Sequence, residues 1–372
     1  MNILILFTQP WRTGGAETHV EAMLKGLSNH KIFLAVNFGS DETKLNRLKN
    51  LFPLLTIIKI QSRGINFFKW RSSLNLLKKL IQDEHIDIIS AQQRTAGIWA
   101  WRLAKATNVK YTVTMHDPWH RAKFKRMYPK IFPHIFVVSK NLKQILLTQY
   151  GFNPNQIHLI NNGVDFSQFK PIDKQIAREK LAINLALTEK MILHVSRMSN
   201  VKGAVSIVII EALEFLANKG IFYKLYIIGE GPYKPKIEQR VKLFNQKYGN
   251  WISLQNFVPD INLWYNATDI LIGEGRVAIE TLACEKPVIA IRNANSFIGL
   301  ITDKNIEYAC EVNFDGKDKS ATAQQMAEQI ELAFQQDKNI AKNIATYIKI
   351  NLSIEKMVNT YLKVFNNILI KE

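Results

Sequence analysis

The run Ile3-Leu4-Ile5-Leu6-Phe7-Thr8-Gln9-Pro10, continued after two residues by Thr13-Gly14-Gly15-Ala16-Glu17, decides the fold. Five consecutive apolar residues that stop at a Thr-Gln-Pro break have the form of a strand buried on both faces, as in a parallel sheet. Paired glycines then turn the chain, and a helical pattern runs over residues 16–27. The same strand signature recurs at residues 32–36, 55–60, 86–89, 111–115 and 135–138. Helical stretches at 74–82, 95–107 and 140–150 separate most of these runs. Such a β-α-β series predicts a doubly wound parallel sheet.

A turn cluster, Asn161-Asn162-Gly163, followed by Pro171, marks a boundary between about residues 161 and 190. The series then restarts. Residues 191–195, 222–228, 252–254, 270–272 and 288–290 read as strands, 204–217 and 235–244 as helices, and 321–370 as helices only. A length of 372 residues (42.8 kDa) accommodates two such α/β domains. With 47% apolar and 22% charged residues the chain is neither disordered nor a disulfide-stapled miniprotein. No run of 18 apolar residues occurs, so no membrane-spanning helix is expected. The first residues lack the basic leader and small-residue cleavage site of a signal peptide. Cys284 and Cys310 form no CxxC pair, and free thiols in a reducing cytosol are expected.

Charge is unevenly spread. The net charge is +18, and residues 1–170 hold 24 Lys/Arg against 9 Asp/Glu, or +15. The remainder holds 25 against 22, or +3. A broad basic face on the first half calls for an anionic partner: nucleic acid, an anionic membrane or an acidic substrate. Two stretches interleave cations with aromatics: Phe67-Phe68-Lys69-Trp70-Arg71, and residues 119–130. The second holds Trp119, His120, Arg121, Lys123, Phe124, Lys125, Arg126, Tyr128 and Lys130 and no acid. Such a composition suits docking on anionic lipid or base stacking. The bland alternative is a solvated face with partly buried rings.

In doubly wound sheets, ligands sit beyond the carboxyl ends of the strands. Five segments fall there. Gly14-Gly15 opens the first helix, where backbone N–H groups approach an anion, or is an ordinary βα turn. His116, in Met115-His116-Asp117-Pro118, exchanges a proton near neutral pH or serves as a packing residue. Arg197 and Lys202, either side of a turn before Gly203, suit a diphosphate or are two solvated cations. Gly229-Glu230-Gly231-Pro232 is a third glycine turn. The segment from Gly273 through Glu274, Gly275 and Arg276 to Glu280 matches the spacing of a dinucleotide fingerprint but falls late in its domain. An NAD(P) reading is therefore set aside, and Glu280 is placed to bond ribose hydroxyls. There is no P-loop, no HExxH and no Asp-x-Asp, so charge on a leaving diphosphate falls to Arg, Lys and helix dipoles.

Taken in order, these pieces resemble the retaining family-four glycosyltransferases of GT-B architecture. The matching pieces are Gly14-Gly15-Ala16-Glu17; His116-Asp117; Val138-Ser139; Asn162-Gly163-Val164-Asp165; Arg197 with Lys202-Gly203; Gly229 to Pro232; and Glu280 to Pro287-Val288-Ile289. The resemblance implies two Rossmann-like domains facing a central cleft, with C-terminal helices crossing back. The first, residues 1–168 plus about 353–372, would hold the acceptor. The second, residues 169–352, would hold the nucleotide sugar. Gly14 and Gly15 would approach the donor, and His116 would lie beside the transferred sugar. Arg197 and Lys202 would hold the diphosphate, with Gly229, Glu274 and Gly275 around the donor and Glu280 on the ribose.

Departures are visible too. Ile272 stands where the family often has a first glutamate, with Glu274 two residues later, and Asn256 and Glu285 replace loop glycines. The implied activity is metal-independent retaining hexosyl transfer from a UDP- or GDP-linked sugar, with no cofactor. Front-face attack would use the leaving phosphate as base. The implied acceptor is a lipid-linked saccharide of a cell-envelope glycan, such as lipopolysaccharide or capsule. It would be met from the cytoplasm at the inner face of the membrane. A nucleotide-sugar epimerase, a non-catalytic nucleotide-sugar binder and a basic nucleic-acid-binding protein are the rival readings. Nucleic acid is not the expected partner.

Overall fold

The computed structural model describes residues 1–370 apart from Thr13, Ile65, His120, Arg121, Leu187, Lys317 and Asp318. It divides into two compact units: Met1–Gly163 with Ile354–Glu372, and Val164–Ser353.

The first unit runs β1 (Asn2–Phe7), α1 (Gly15–Gly26), β2 (Lys31–Asn37), α2 (Glu42–Leu51), β3 (Thr56–Ile60), α3 (Phe67–Asp83) and β4 (Ile88–Gln92). It continues with α4 (Arg94–Thr107), β5 (Lys110–Met115), α5 (Tyr128–Ile131), β6 (Ile135–Val137), α6 (Lys140–Ile145) and β7 (Ile157–Leu159). The strands pair in parallel in the order β3-β2-β1-β4-β5-β6-β7. β1 lies at the centre, and Ile3 through Phe7 are fully buried, as its unbroken apolar run requires. Chain order reverses between β1 and β4, which makes their carboxyl ends the switch point where ligands bind in such sheets.

The second unit begins with α7 (Lys174–Lys180), then β8 (Met191–Val195), α8 (Gly203–Ala217), β9 (Lys224–Ile228), α9 (Lys234–Tyr248), β10 (Ile252–Gln255) and α10 (Ile261–Ala267). β11 (Ile270–Gly273), α11 (Gly275–Ala283), β12 (Val288–Asn293), β13 (Ser296–Leu300), α12 (Ile306–Glu311), α13 (Ala323–Gln335) and α14 (Lys338–Asn351) follow. Its sheet has the order β10-β9-β8-β11-β12-β13, with the switch point between β8 and β11. The last helix, α15 (Ile354–Ile370), belongs to the first unit. There Gly163 is required: a Cβ on it would stand 2.9 Å from the Ile354 Cα and 3.2 Å from its nitrogen. The Asn162-Gly163 turn is thus the place where the start of α15 is packed backbone to backbone.

Several elements depart from the sequence reading. β13 runs antiparallel to β12, so the second sheet is not wholly parallel. Its five residues contain a glycine and follow Asn293-Ala294-Asn295, which reads as a loop but makes a tight hairpin. β7 is three residues long, too short for a periodic signal. α3 begins at Phe67 rather than 74 because the Asn66 side chain accepts from the Lys69 amide (3.0 Å) and caps it. The Phe67–Arg71 stretch is therefore helix, with Trp70 turned edge-on to Trp99 while Phe67 and Phe68 stay exposed.

Candidate functional site

In the second unit the carboxyl ends of β8, β9 and β11 gather the predicted donor residues. The turn after β9 lies directly on the segment after β8. Gly229 has φ +155°, and a Cβ there would fall 1.9 Å from the Ser196 carbonyl oxygen, so no other residue fits. Backbone bonds hold the two turns together: Ser196 N–H to the Ile228 carbonyl (3.1 Å), and Met198 N–H to the Glu230 carbonyl (2.9 Å). Lys202 is the residue before α8, and Glu274 is the residue before α11. Their side chains form an ion pair, which links the starts of the two helices across the switch point. Gly275 opens α11 at φ +57°. Arg197 is exposed and has no ion pair among the described residues.

The pair extends further than the motifs indicate. Arg292, at the end of β12, lies 3.9 Å from Glu274 and pairs with Asp315, which also accepts from the Ser296 hydroxyl. Beneath Lys202, His194 of β8 is buried and donates from Nδ1 to the Ile272 carbonyl (2.8 Å). Its Nε2 is buried without a hydrogen-bond partner among the described residues. Burial and, less strongly, the Lys202 charge push its pKa down to about 4, against a raising pull from the backbone bond. Glu280 points into the unit rather than lying open. It is 6% exposed, meets Arg276 at 3.1 Å and accepts from the Tyr265 hydroxyl at 3.2 Å. Burial raises its pKa, with Arg276 and the Tyr265 bond opposing.

In the first unit, Gly14 and Gly15 begin α1, and the Thr18 amide and hydroxyl both donate to the Gly14 carbonyl (3.0 Å each). A Cβ on Gly15 would meet nothing within 4 Å, so this helix start is open. His116 follows β5 and is half-buried, its Nε2 2.8 Å from Gln92 Oε1. Next to Gln92, Gln93 sits at φ +78°, a left-handed conformation that is costly for a residue with a side chain. Its amide donates to Asp117 (3.3 Å) and its carbonyl accepts from the Trp119 indole (3.1 Å). The ring of His19 from α1 stands edge-on to His116, centroids 4.8 Å apart. His19 is buried between Asn162 (3.0 Å) and the Tyr361 hydroxyl (2.9 Å), and Thr114 joins Tyr361 (2.9 Å). Burial, and secondarily His19, hold the His116 pKa well below its usual 6.5.

The basic–aromatic segment needs a correction. Trp119 is 7% exposed and packs edge-on against Tyr128, Phe132 and Tyr150, so it is core rather than a membrane-facing ring. Tyr128 is buried with it. Phe124 (79% exposed) and Met127 are the apolar groups that do face out, flanked by exposed Lys123, Arg126 and Lys130. Lys125 donates to Gln149 (2.9 Å) and stands over the Tyr150 ring. Arg121 lies outside the described residues.

Sequence reasoning missed His19, Gln92, His194, Arg292 and Asp315. Only position at the carboxyl end of a strand flags Gln92 and Arg292; the others are visible only once the sheets are assembled.

A family model described as glycosyl transferases group 1 matches residues 159–349, more than half of the chain, and one described as glycosyltransferase family 4 matches residues 13–168. The chain belongs to this glycosyltransferase family. The putative glycosyltransferase EpsF of Bacillus subtilis (strain 168) is 29% identical over 248 residues, covering 62% of this chain and 63% of EpsF. The matches to the first three curated relatives span 37%, 63% and 55% of those proteins, less than two thirds of their length in each case. A glycosyltransferase structure from Rickettsia africae ESF-5 superposes with a TM-score of 0.78 over 100% of this chain and 99% of that one, at 23% identity. Anabaena Alr3699/HepE in complex with UDP-glucose superposes with a TM-score of 0.75 over 98% and 99%, at 16% identity. At these identities the likeness establishes the fold, which is GT-B.

Proposed function

We propose that the chain is a retaining hexosyltransferase that moves a sugar from a UDP- or GDP-linked donor to a saccharide acceptor without a divalent metal. The observation that carries this reading is the meeting of two helix N-termini, α8 and α11, at the switch point of the second unit, with Lys202 between them. Backbone N–H groups at helix starts and an ammonium suit an anion, and a diphosphate would take Lys202 over from Glu274. They supply the positive charge that a departing diphosphate needs. Exposed Arg197 would add a second cation from the same loop. Glu280 would take ribose hydroxyls on lone pairs left open by Arg276 and Tyr265. HepE binds UDP-glucose, which supports the same donor class here. In this reading the leaving phosphate takes the acceptor's proton on the face it departs from, so configuration is retained. The outward Phe124 and Met127 among Lys123, Arg126 and Lys130 support an acceptor carried on lipid, in cell-envelope glycan synthesis at the inner membrane face.

The test is a thermal-shift screen over UDP, GDP, ADP and their sugars in excess EDTA, followed by transfer assays with the stabilising donor. A ligand at a hundred times its Kd stabilises by about 2.7 kcal/mol. Lys202→Ala should slow transfer by roughly 2–4 kcal/mol of barrier, the scale of one preorganised charge contact. Wild-type turnover in that variant, or activity that only manganese restores, would overturn the mechanism.

A further inference from the structure

In the second sheet β11 lies between β8 and β12, and Gly273 stands opposite Ala290. Glu274 therefore leaves the carboxyl end of the sheet between the segment after β8 and the end of β12. It has a cation on each side: Lys202 pairs with Oε1, and the Arg292 Nε lies 3.9 Å from Oε2. The first contact is a hydrogen bond; the second is too long to be one. The Glu274 side chain is only 17% exposed and has no further ion pair among the described residues. Arg292 is itself anchored, because its Nη1 pairs with Asp315, which also accepts from the Ser296 hydroxyl. A guanidinium carries five N–H donors in a rigid fork, so Nε can bond Glu274 while Nη1 stays on Asp315.

An anionic ligand that takes Lys202 strips Glu274 of its hydrogen-bonded cation and sets a second anion beside it. A mostly buried carboxylate left without a partner is costly. We propose that Arg292 is a positioning residue that receives Glu274 when such a ligand takes Lys202. The carboxylate closes the 3.9 Å gap to the Arg292 Nε–H, Arg292 keeps Asp315, and Lys202 passes to the ligand with no charge left unpaired. Without ligand, Glu274 neutralises Lys202 and holds the ammonium at the switch point. A lysine at 292 could not do this, since a point charge on one stem does not fork between two carboxylates. That the ligand is a nucleoside diphosphate rests on the proposed glycosyl transfer; the exchange of Glu274 between two cations does not.

Two double-mutant cycles test it. The first needs no ligand: urea unfolding of wild type, Lys202→Met, Arg292→Gln and the double variant. Each single change leaves Glu274 one cation, and the double change leaves it none. The double variant should therefore lose about tenfold more in its folding equilibrium constant than the two single effects multiplied together. Loss of the Arg292–Asp315 pair is present in the single variant as well and cancels from this comparison. Single effects that simply multiply overturn the proposal. The second cycle is calorimetry with UDP and with GDP in EDTA; neither carries a sugar, so contacts to a sugar do not enter. Arg292→Gln should weaken binding about tenfold in the wild type and far less in Glu274→Gln, whose neutral amide needs no cation. An equal loss in both backgrounds means that Arg292 acts on the ligand or the fold rather than through Glu274, and overturns the proposal. Should neither nucleotide bind the wild type, the donor-site reading fails, and the unfolding cycle alone decides the exchange.

Discussion

Acid should weaken the second unit through one side chain, His194. The ring is buried on β8, two residues before the Ser196 segment that packs on Gly229. Protonating it would create an N–H at Nε2 with no acceptor among the described residues, beside the Lys202 charge. Its pKa is accordingly about 4 in the folded chain, against 6.5 when exposed. Because the folded value is the lower one, the unfolded chain takes up the proton first as pH falls. The stability due to a neutral His194 is thus complete above about pH 6.5 and is lost on the way down to about pH 4. Integrating between those values gives a loss of about 2 kcal/mol by about pH 5 and about 3 kcal/mol by about pH 4.

Urea unfolding at about pH 7.5 and about pH 5, followed through the second unit's transition, measures this. His158 of the first unit, also held near 4 by burial and by His134, titrates over the same range. The comparison must therefore be with a variant. His194→Asn keeps an amide donor for the Ile272 carbonyl and removes the titration. Wild type should lose about 2 kcal/mol more than His194→Asn between the two conditions. Equal losses would refute the reasoning, and would mean that His194 finds a partner for its second proton.

Gly229→Ala should destabilise the second unit by about 3 kcal/mol or more, since strain at φ +155° adds to a Cβ driven onto the Ser196 carbonyl. Urea unfolding checks it, and a loss under about 1 kcal/mol would show that the two turns can separate freely. Replacing Lys123, Arg126 and Lys130 with Ser should weaken binding to anionic vesicles by about 3 kcal/mol at low salt, at about 1 kcal/mol per cation, and the difference should shrink as salt is raised. Co-sedimentation equal to wild type would remove this face as the membrane contact.

What the sequence made legible follows from how local each feature is. β1 and β8 are unbroken apolar runs, and the turns after them are rich in glycine, so strand, turn and helix could be placed by reading a dozen residues. The two sheets follow from the alternation of such runs. β13 did not follow, because its partner choice depends on a hairpin whose Asn and Ala residues read equally well as an open loop. The site divides the same way. Lys202 and Glu274 are visible because each immediately precedes a helix, but their pairing depends on β8 lying beside β11, across 72 residues of chain. The burial of Trp119 is illegible for the converse reason: its neighbours in sequence are cations, and its neighbours in space are Tyr128, Phe132 and Tyr150. Gln92 and His116 make the strongest case. Neither residue type nor spacing shows that the glutamine ending β4 meets the histidine after β5, 24 residues on, at 2.8 Å. That contact comes from β4 and β5 lying side by side in the first sheet, which brings the two strand ends together. Contacts of this kind are legible only after the strands have been put in order.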